Sequence, residues 1–494
     1  MTNNYFPAGL PTSMENLIQN NWLTPMIREA MRPNARYAED ARRNKLPPGV
    51  GGTMSMHRLG LVDVDLKPAP TTGAPDYGQF EVERWTAQPI PYAKAFPLNA
   101  LQNYAQVGNG LMGQVMSRGA EWSGRTKSRL ARGRLMHHDG GFSIIRRAQT
   151  SGHSVLLVNS LAGFRYKHVN GVPVAVSATN KLPITIVAAT TITALSVTGV
   201  TPLDPNFPDG PGELTLDSTF GANVAAQSYV YVQGANATTP RTFIQRAASR
   251  ASTEALLSTD VPALADVIAM KAKLVGRGVP PHPQTGAYHL HVDETFVAAI
   301  WNDQAWRQAF QGQGVTPLLG PGSYFLPMHG IVVIENNDSP ARGRGKEVAV
   351  GDATHSGAGG AGTPGSSISM EDTGLDVVNS SGVYIRRAVM TGAECLEEAY
   401  IDHREILAMN GVKTIHEIGE VQVMDLNGMR FLAANVEGWT VMIRPALDER
   451  ALTPVVTFIN YLDYVLPTDL NSGTDTASGS PLKRAVWLEY GSTS

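Results

Sequence analysis

The sequence predicts an α+β protein of several domains, and three stretches carry that reading. Residues 259 to 335 run helix, strand, tryptophan-bearing helix and apolar strand in succession; residues 97–134 hold apolar side chains at near-helical spacing; and residues 140–250 are β-branched and small, with little helical periodicity. A chain of 494 residues is long enough for two or three domains and a substantial core. It is 43% apolar but only 17% charged, whereas average chains carry roughly 25% charged residues. Large buried interfaces would explain that shortage. With 40 basic and 43 acidic residues the net charge is −3, so any nucleic-acid contact must be local.

The single cysteine, Cys395, excludes an intramolecular disulfide and any CxxC motif, and fits assembly in a reducing cytoplasm. It lies in TGAECLEEAY, which reads as a helix start, and is expected as a small core residue. The opening MTNNYFPAGLPTS has neither a positive n-region nor an apolar h-region, so no signal peptide is expected. No stretch approaches the ~20 apolar residues of a membrane span, so no membrane partner is expected. The 49 glycines and 32 prolines indicate many loops and extended arms.

Taken in order, residues 14–45 alternate helical periodicity with breaks at Pro25 and Pro33. Leu17, Trp22, Leu23, Met26 and Ile27 form an apolar face too small to be a core, which reads as an arm that packs on a neighbour. GTMSMHRLGLVDVDL and GQFEVERWTAQPI are extended runs joined by the Pro/Gly/Thr-rich KPAPTTGAPDYG, which suits the tip of a long two-stranded loop. In residues 97–134 the apolar positions are Leu101, Tyr104, Leu111, Met112, Val115, Met116, Trp122 and Leu130. Glycines 108, 110, 113, 119 and 124 each cost a helix up to ~1 kcal/mol relative to alanine, so tertiary packing must compensate. Within the β-rich stretch Asn170-Gly171 marks a hairpin.

TDVPALADVIAMKAKLVGRG then reads as a helix with Asp260 at its N-cap and Leu264, Val267, Ile268, Met270 and Leu274 on one face. AYHLHVD is a period-two strand. ETFVAAIWNDQAWRQAF reads as one helix, with Phe296 paired to Ile300 and Val297 to Trp301, and residues 324–336 as one buried apolar strand. Residues 338–370 form a glycine-rich loop, TGAECLEEAYIDHREILAMNG resumes a helix, and VQVMDLNGMRFLAAN is a hairpin about Asn427-Gly428. The C-terminal runs, through PLKRAVWLEYG, are strand-rich.

That order, with the strings HLHVDETFVAAIWNDQAWRQAF and FLPMHGIVVIENN and the Asp-x-x-Trp-Arg match at Asp303, Trp306 and Arg307, resembles the major capsid proteins of tailed bacteriophages, the Hong Kong 97 type. The resemblance implies that fold: an N-arm (1–51), an E-loop (52–95), the P-domain spine helix (96–139), a β-rich insertion or P-domain extension (140–250), an A-domain (251–395), and remaining A-domain with returning P-domain strands (396–494). It implies a non-enzymatic protein that assembles with itself as pentamers and hexamers into an icosahedral shell around double-stranded DNA. The implied partners are a separate scaffolding protein, a portal, a decoration protein and the packaged DNA, bound without sequence readout. Assembly would take place in the bacterial host cytoplasm and the product would be the virion. Contacts of the E-loop with neighbouring copies fall on Lys67, Tyr77 and Trp85. Some family members form a lysine–asparagine isopeptide bond from this loop; here non-covalent clamping through it is expected.

Candidate chemistry in the residues themselves is sparse. His289, His291 and Asp293 share one face of a strand and are the place a metal hydrolase would use, but no further ligand is marked, and solvated or interface histidines are the plainer reading. His137, His138 and Asp139 have the same weakness. Gly357–Gly362 matches G-x-G-x-x-G without the strand and helix that would make it a phosphate cradle. No catalytic residue, cofactor or metal is therefore expected. Arg118, Arg125, Lys127, Arg129, Arg132 and Arg134, opposed only by Glu121, read either as a helix face that is solvated or paired with neighbouring copies, or as a lumen-facing patch for DNA phosphates. The other classes left open are a tail or decoration protein, with the β-rich stretch as its main domain, and the metal-dependent hydrolase.

Overall fold

The computed structural model describes residues 18, 23–31, 35–47, 54–59, 82–97, 111–135, 142–145, 147–158, 161–169, 172–188, 190–203, 205, 211–225, 228–233, 244–250, 255–276, 278–310, 323–326, 330–336, 347–349, 367–369, 377–378, 383–426, 429–444, 455–465 and 484–492. The chain opens with α1 (Leu23–Met31), β1 (Ala41–Lys45), β2 (Met54–Leu59), β3 (Val82–Ala87), β4 (Ile90–Pro97) and the 23-residue α2 (Leu111–Gly133). Short strands follow: β5 (Phe142–Ile144), β6 (Val155–Val158), β7 (Tyr166–Val169), β8 (Val172–Ala175), β9 (Leu182–Val187), β10 (Ile192–Pro202), β11 (Gly212–Leu216), β12 (Tyr229–Val232) and β13 (Ile244–Arg246). Next come α3 (Leu264–Gly276), β14 (Tyr288–Val292), α4 (Glu294–Asn302), α5 (Gln304–Phe310), β15 (Ser323–Leu326), β16 (Ile331–Glu335), β17 (Glu347–Ala349), β18 (Ser367–Ser369), β19 (Val377–Val378) and β20 (Tyr384–Thr391). The chain closes with β21 (Leu396–Ile401), α6 (His403–Met409), β22 (Lys413–Ile418), β23 (Val421–Leu426), β24 (Met429–Val436), β25 (Trp439–Arg444), β26 (Val455–Val465) and β27 (Ala485–Ser492). Mostly antiparallel sheets with segregated helices make this an α+β chain.

Two compact units result: Met1–Ser55, Thr86–Ala131 and Glu397–Val465 form one, and Met56–Trp85, Arg132–Leu396 and Leu466–Ser494 the other. In the first, an eight-stranded sheet has the order β1-β21-β26-β25-β24-β23-β22, with β4 also on β26. β23 and β24 pair antiparallel up to Leu426 opposite Met429, as the expected hairpin requires, while Asn427 and Gly428 themselves lie outside the described residues. Along β26, Val456, Phe458, Leu462 and Tyr464 are buried on one face. The buried seam of α2 differs from the expected one. Val115, Trp122 and Leu130 are only partly buried, while Met116, Gly119, Ala120, Ser123, Gly124, Lys127, Ser128 and Ala131 are buried at helical spacing. Small residues let the helix axis approach the sheet. A Cβ on Gly119 would enter the Phe458 ring, and Trp122 meets Trp439 edge-on at 5.2 Å.

Two arm expectations need correction. Pro25 does not break α1: it sits in the first turn of that helix, where its missing N–H costs nothing. Nor does the apolar face of α1 await a neighbour. Leu23, Ile27 and Met31 are buried, α1 lies against β24, and β1 adds to the edge of β21 of the same chain.

In the second unit, β5-β12-β9-β10-β11-β6 pair antiparallel in that order, and the Ile145–Val158 bridge ties the first strand to the last, closing a six-stranded barrel. Leu156, Val158, Leu182, Ile184, Ile186, Val197, Leu214, Val230 and Val232 fill it, each worth about 1.5–3 kcal/mol of burial. β7 and β8 pair antiparallel up to Val169 opposite Val172, as the expected hairpin requires, with Asn170 and Gly171 outside the described residues. The same unit holds a seven-stranded mixed sheet, β13-β27-β20-β14-β16-β15 with β19 on β20, parallel at β14–β16 and β13–β27. Leu264, Val267, Met270 and Leu274 of α3, Phe296 and Ile300 of α4 and Trp306 of α5 pack on it. β27 thus belongs to this sheet, between β13 and β20, whereas the returning P-domain strands that the resemblance implies for 396–494 would place it with α2.

Local corrections follow from the same packing. Ile268 is exposed, and Asp260 does not cap α3 but binds Arg250 at 2.7 Å and the Leu257 N–H. Residues 294–310 make two helices broken at extended Asp303. Residues 323–335 make a hairpin of two strands, with Gly330 at φ +57 beside its second strand. TGAECLEEAYI is not helical: Cys395, buried as expected, precedes the strand β21. β14 is buried along its whole length instead of alternating with solvent.

Candidate functional site

Lys127 organises the interior of the first unit. Its ammonium lies 2.8 Å from Glu398 Oε1 and donates to the Glu437 carbonyl at 2.7 Å. The Lys127 and Glu398 side chains are both withdrawn from solvent. The other Glu398 oxygen accepts from the Tyr464 hydroxyl at 2.7 Å, with Arg43 Nε at 3.9 Å. Arg43 also pairs with Glu437, which Arg28 reaches at 3.5 Å. Burial pulls the Lys127 pKa down against the attraction of Glu398. Burial, reinforced by the Glu398 charge, drives that of Tyr464 well up. Burial would also raise Glu437, but its hydrogen bond to Arg43 and the charges of Arg43, Lys127 and Arg28 hold it below the usual carboxylate range.

The arm reads the opposite side of the same strand. Leu46 N–H bonds to the Tyr400 carbonyl at 2.9 Å, Asn44 Nδ2 donates to Glu397 Oε2 at 2.8 Å, and Lys45 pairs with Glu405. Of the adjacent glutamates of β21, Glu397 binds Asn44 of the arm, while Glu398 takes Lys127 of the helix with Arg43 of the arm further off at 3.9 Å. Arg28 and Arg43 are among the arm's basic residues that the sequence leaves open as a solvated or neighbour-paired face or a patch for DNA phosphates; Glu398, Glu437 and Tyr464 were not singled out, and the available signal was a pair of acids inside a strand of otherwise apolar rhythm.

The six basic residues of α2 and its end are accordingly of two kinds. Arg118 and Arg125 are exposed and each binds Glu121 at 2.8 Å. Arg129 and Arg134 are half-buried. Lys127 and Arg132 are buried, which removes both from any solvated or DNA-facing patch. β2 and β3 pair as a two-stranded stem. Lys67 and Tyr77 lie outside the described residues, as do His137, His138, Asp139 and Gly357–Gly362; Trp85 lies in β3 and its side chain is not described.

In the second unit, Asp293 caps α4 by accepting from Phe296 N–H at 2.9 Å, and both its oxygens accept from Thr295 Oγ1 at 2.9 Å. Arg386 stands 3.1 Å from Oδ2, and the Tyr490 hydroxyl donates to Oδ1. This carboxylate is consumed by structure. His289 and His291 are buried, not solvated; the His289 ring stacks on His282 at 4.0 Å and faces Thr285 Oγ1 at 2.8 Å. The face offered as a hydrolase centre is thus core. The Asp303, Trp306, Arg307 motif is also structural: Asp303 accepts from Leu264 N–H at 2.8 Å and Ala305 N–H at 2.9 Å, tying the starts of α3 and α5 together, while Trp306 is buried and Arg307 donates to the Asn302 carbonyl at 3.2 Å.

No family model and no curated protein matches the sequence. Solved structures do. The chain is similar to the capsid of Ralstonia phage GP4, with 9% identity and a TM-score of 0.45 over 93% of this chain and 91% of that one. It is similar to the capsid of cyanophage Pam1, with 10% identity and a TM-score of 0.42 over 94% and 92%. A third likeness is to the SrpI encapsulin of Synechococcus elongatus, with 7% identity and a TM-score of 0.36 over 92% and 86%. Among the described residues no helix is long and apolar enough to cross a membrane.

Proposed function

We propose that the protein is the major capsid protein of a tailed bacteriophage and assembles with itself, as pentamers and hexamers, into the icosahedral shell that encloses the double-stranded DNA genome. The observation that carries this is the order of parts on one chain: an arm ending in a sheet-edge strand, a paired stem around residues 60–81, a long helix laid on a β-sheet, and a separate mixed-sheet unit bearing the Asp303, Trp306, Arg307 motif. The quoted strings support the same family. A two-stranded stem has little core of its own and suits a neighbour's surface. Lys67, Tyr77 and Trp85 would make those contacts. Arg118 and Arg125, exposed beyond Glu121, are the basic residues best placed for DNA phosphates or a neighbouring copy of the chain. A scaffolding protein, a portal and a decoration protein would be its further partners, the bacterial cytoplasm the place of assembly and the virion its destination.

Expression of the full chain alone and with its scaffolding protein, followed by sedimentation and negative-stain imaging, tests this. Closed shells or capsomer-sized rings are expected. Trimers or fibres would instead indicate a tail or decoration protein, and a compact monomer that assembles under neither condition would overturn the proposal.

A further inference from the structure

On β26 the residues facing α2 alternate strictly, and Asn460 is the polar interruption of that apolar row, between Phe458 and Leu462. It is fully buried, and neither its Oδ1 nor its Nδ2 has a hydrogen-bond partner among the described residues. Buried amides are normally satisfied, so this one calls for a role. It stands beside Lys127 and Glu398. From the position a Cβ would take on Gly438, Glu398 Oε1 is 3.6 Å away, Asn460 Nδ2 3.7 Å and Lys127 Nζ 3.8 Å, so the amine, the carboxyl and the amide converge on one point. Tyr464 holds the far oxygen of Glu398, leaving Oε1 to the amine.

We propose that Lys127 and Asn460 become joined by an isopeptide bond within the chain, with Glu398 carrying the proton. The bond would tie the long helix covalently to the sheet it lies on, and involves neither the E-loop nor a second copy of the chain. Glu398 takes a proton from the Lys127 ammonium, and the neutral Nζ attacks Asn460 Cγ. The protonated carboxyl hydrogen-bonds the oxygen as charge develops there. The new Nζ–Cγ bond forms as Cγ–Nδ2 breaks; of the two protons that Nζ gives up, one passes through Glu398 to Nδ2, which leaves as ammonia, and the other departs from the Glu398 carboxyl with that ammonia as ammonium. No oxidant or co-reactant is needed. The burial that lowers the Lys127 pKa favours the nucleophilic amine, and exclusion of water spares the amide from hydrolysis.

Intact-mass measurement of the denatured full chain, then proteolysis and fragmentation, decides the matter. The wild-type chain is expected to be lighter than its sequence by one ammonia, with a branched peptide joining the Lys127 and Asn460 segments. Glu398→Gln and Asn460→Ala should each show their full sequence mass, while Asn460→Asp should form the same bond with loss of water. If a variant does not fold, the wild-type peptides still decide. Linear peptides at both positions, or an ammonia loss mapped to a succinimide at Asn170 or Asn427, would overturn the proposal. Shells built of linear chains would remove the bond and leave the capsid reading standing; a branched peptide in a chain that never assembles would do the reverse.

Discussion

Gly119 faces the Phe458 ring with no space for a methyl group. Gly119→Ala should therefore destabilise the protein by about 1–3 kcal/mol, the usual cost of overpacking, despite alanine's better helix propensity; a rise in the urea midpoint would contradict this. Asp293→Ala removes the carboxylate that Arg386, Tyr490 and the α4 N-terminus share. Breaking a buried pair from one side costs about 3–5 kcal/mol, to be read by chemical denaturation. Glu437 titrates lower in the folded chain than when unfolded. Its stabilisation is thus fully present above the unfolded value and is lost as pH falls through the folded one, below the usual glutamate range. Glu437→Gln should flatten the acid limb of the stability profile and leave its alkaline limb unchanged. None of these roles was readable from neighbours in sequence. Lys127 looked like one more exposed base because its buried partners, Glu398 in β21 and Glu437 in the turn between β24 and β25, lie about three hundred positions away in sequence.

Elements with local signals were legible. The Asn170-Gly171 and Asn427-Gly428 hairpins follow from the turn chemistry of those dipeptides, and the face of α3 follows from its period, Ile268 excepted. Elements defined by distant partners were not. β21 reads as a helix start because LEEAY favours helix locally, yet its edge is claimed by β1 and β26 and its two glutamates by Asn44 and Lys127. The break at Asp303 is equally non-local, since that carboxylate also serves α3. Closure of the barrel hangs on the Ile145–Val158 bridge, which strand propensity does not encode. Ile184→Ala at its centre should cost about 2–5 kcal/mol, measured by denaturant unfolding. Loss of no more than a few tenths would mean that the barrel interior is not close-packed.

At the scale of the whole molecule, the two units each have their own sheet and core. The arm is already spent on its own chain, through α1 on β24 and β1 on β21; the two-stranded stem of β2 and β3 and the low charge are the features that the proposed assembly with other copies would use. The family strings near residues 289–336 were readable because they combine a strand, a capped helix and a buried tryptophan in fixed order. The His289, His291, Asp293 face was not distinguishable from core until burial and partners were known: Asp293 is spent on Arg386 and a helix cap. The most direct measurement is sedimentation velocity of the purified full chain across a concentration series with its scaffolding protein, with images of each species. The account expects concentration-dependent conversion to closed particles or capsomer rings. A single slow species at every concentration, with no particles in the images, would contradict it.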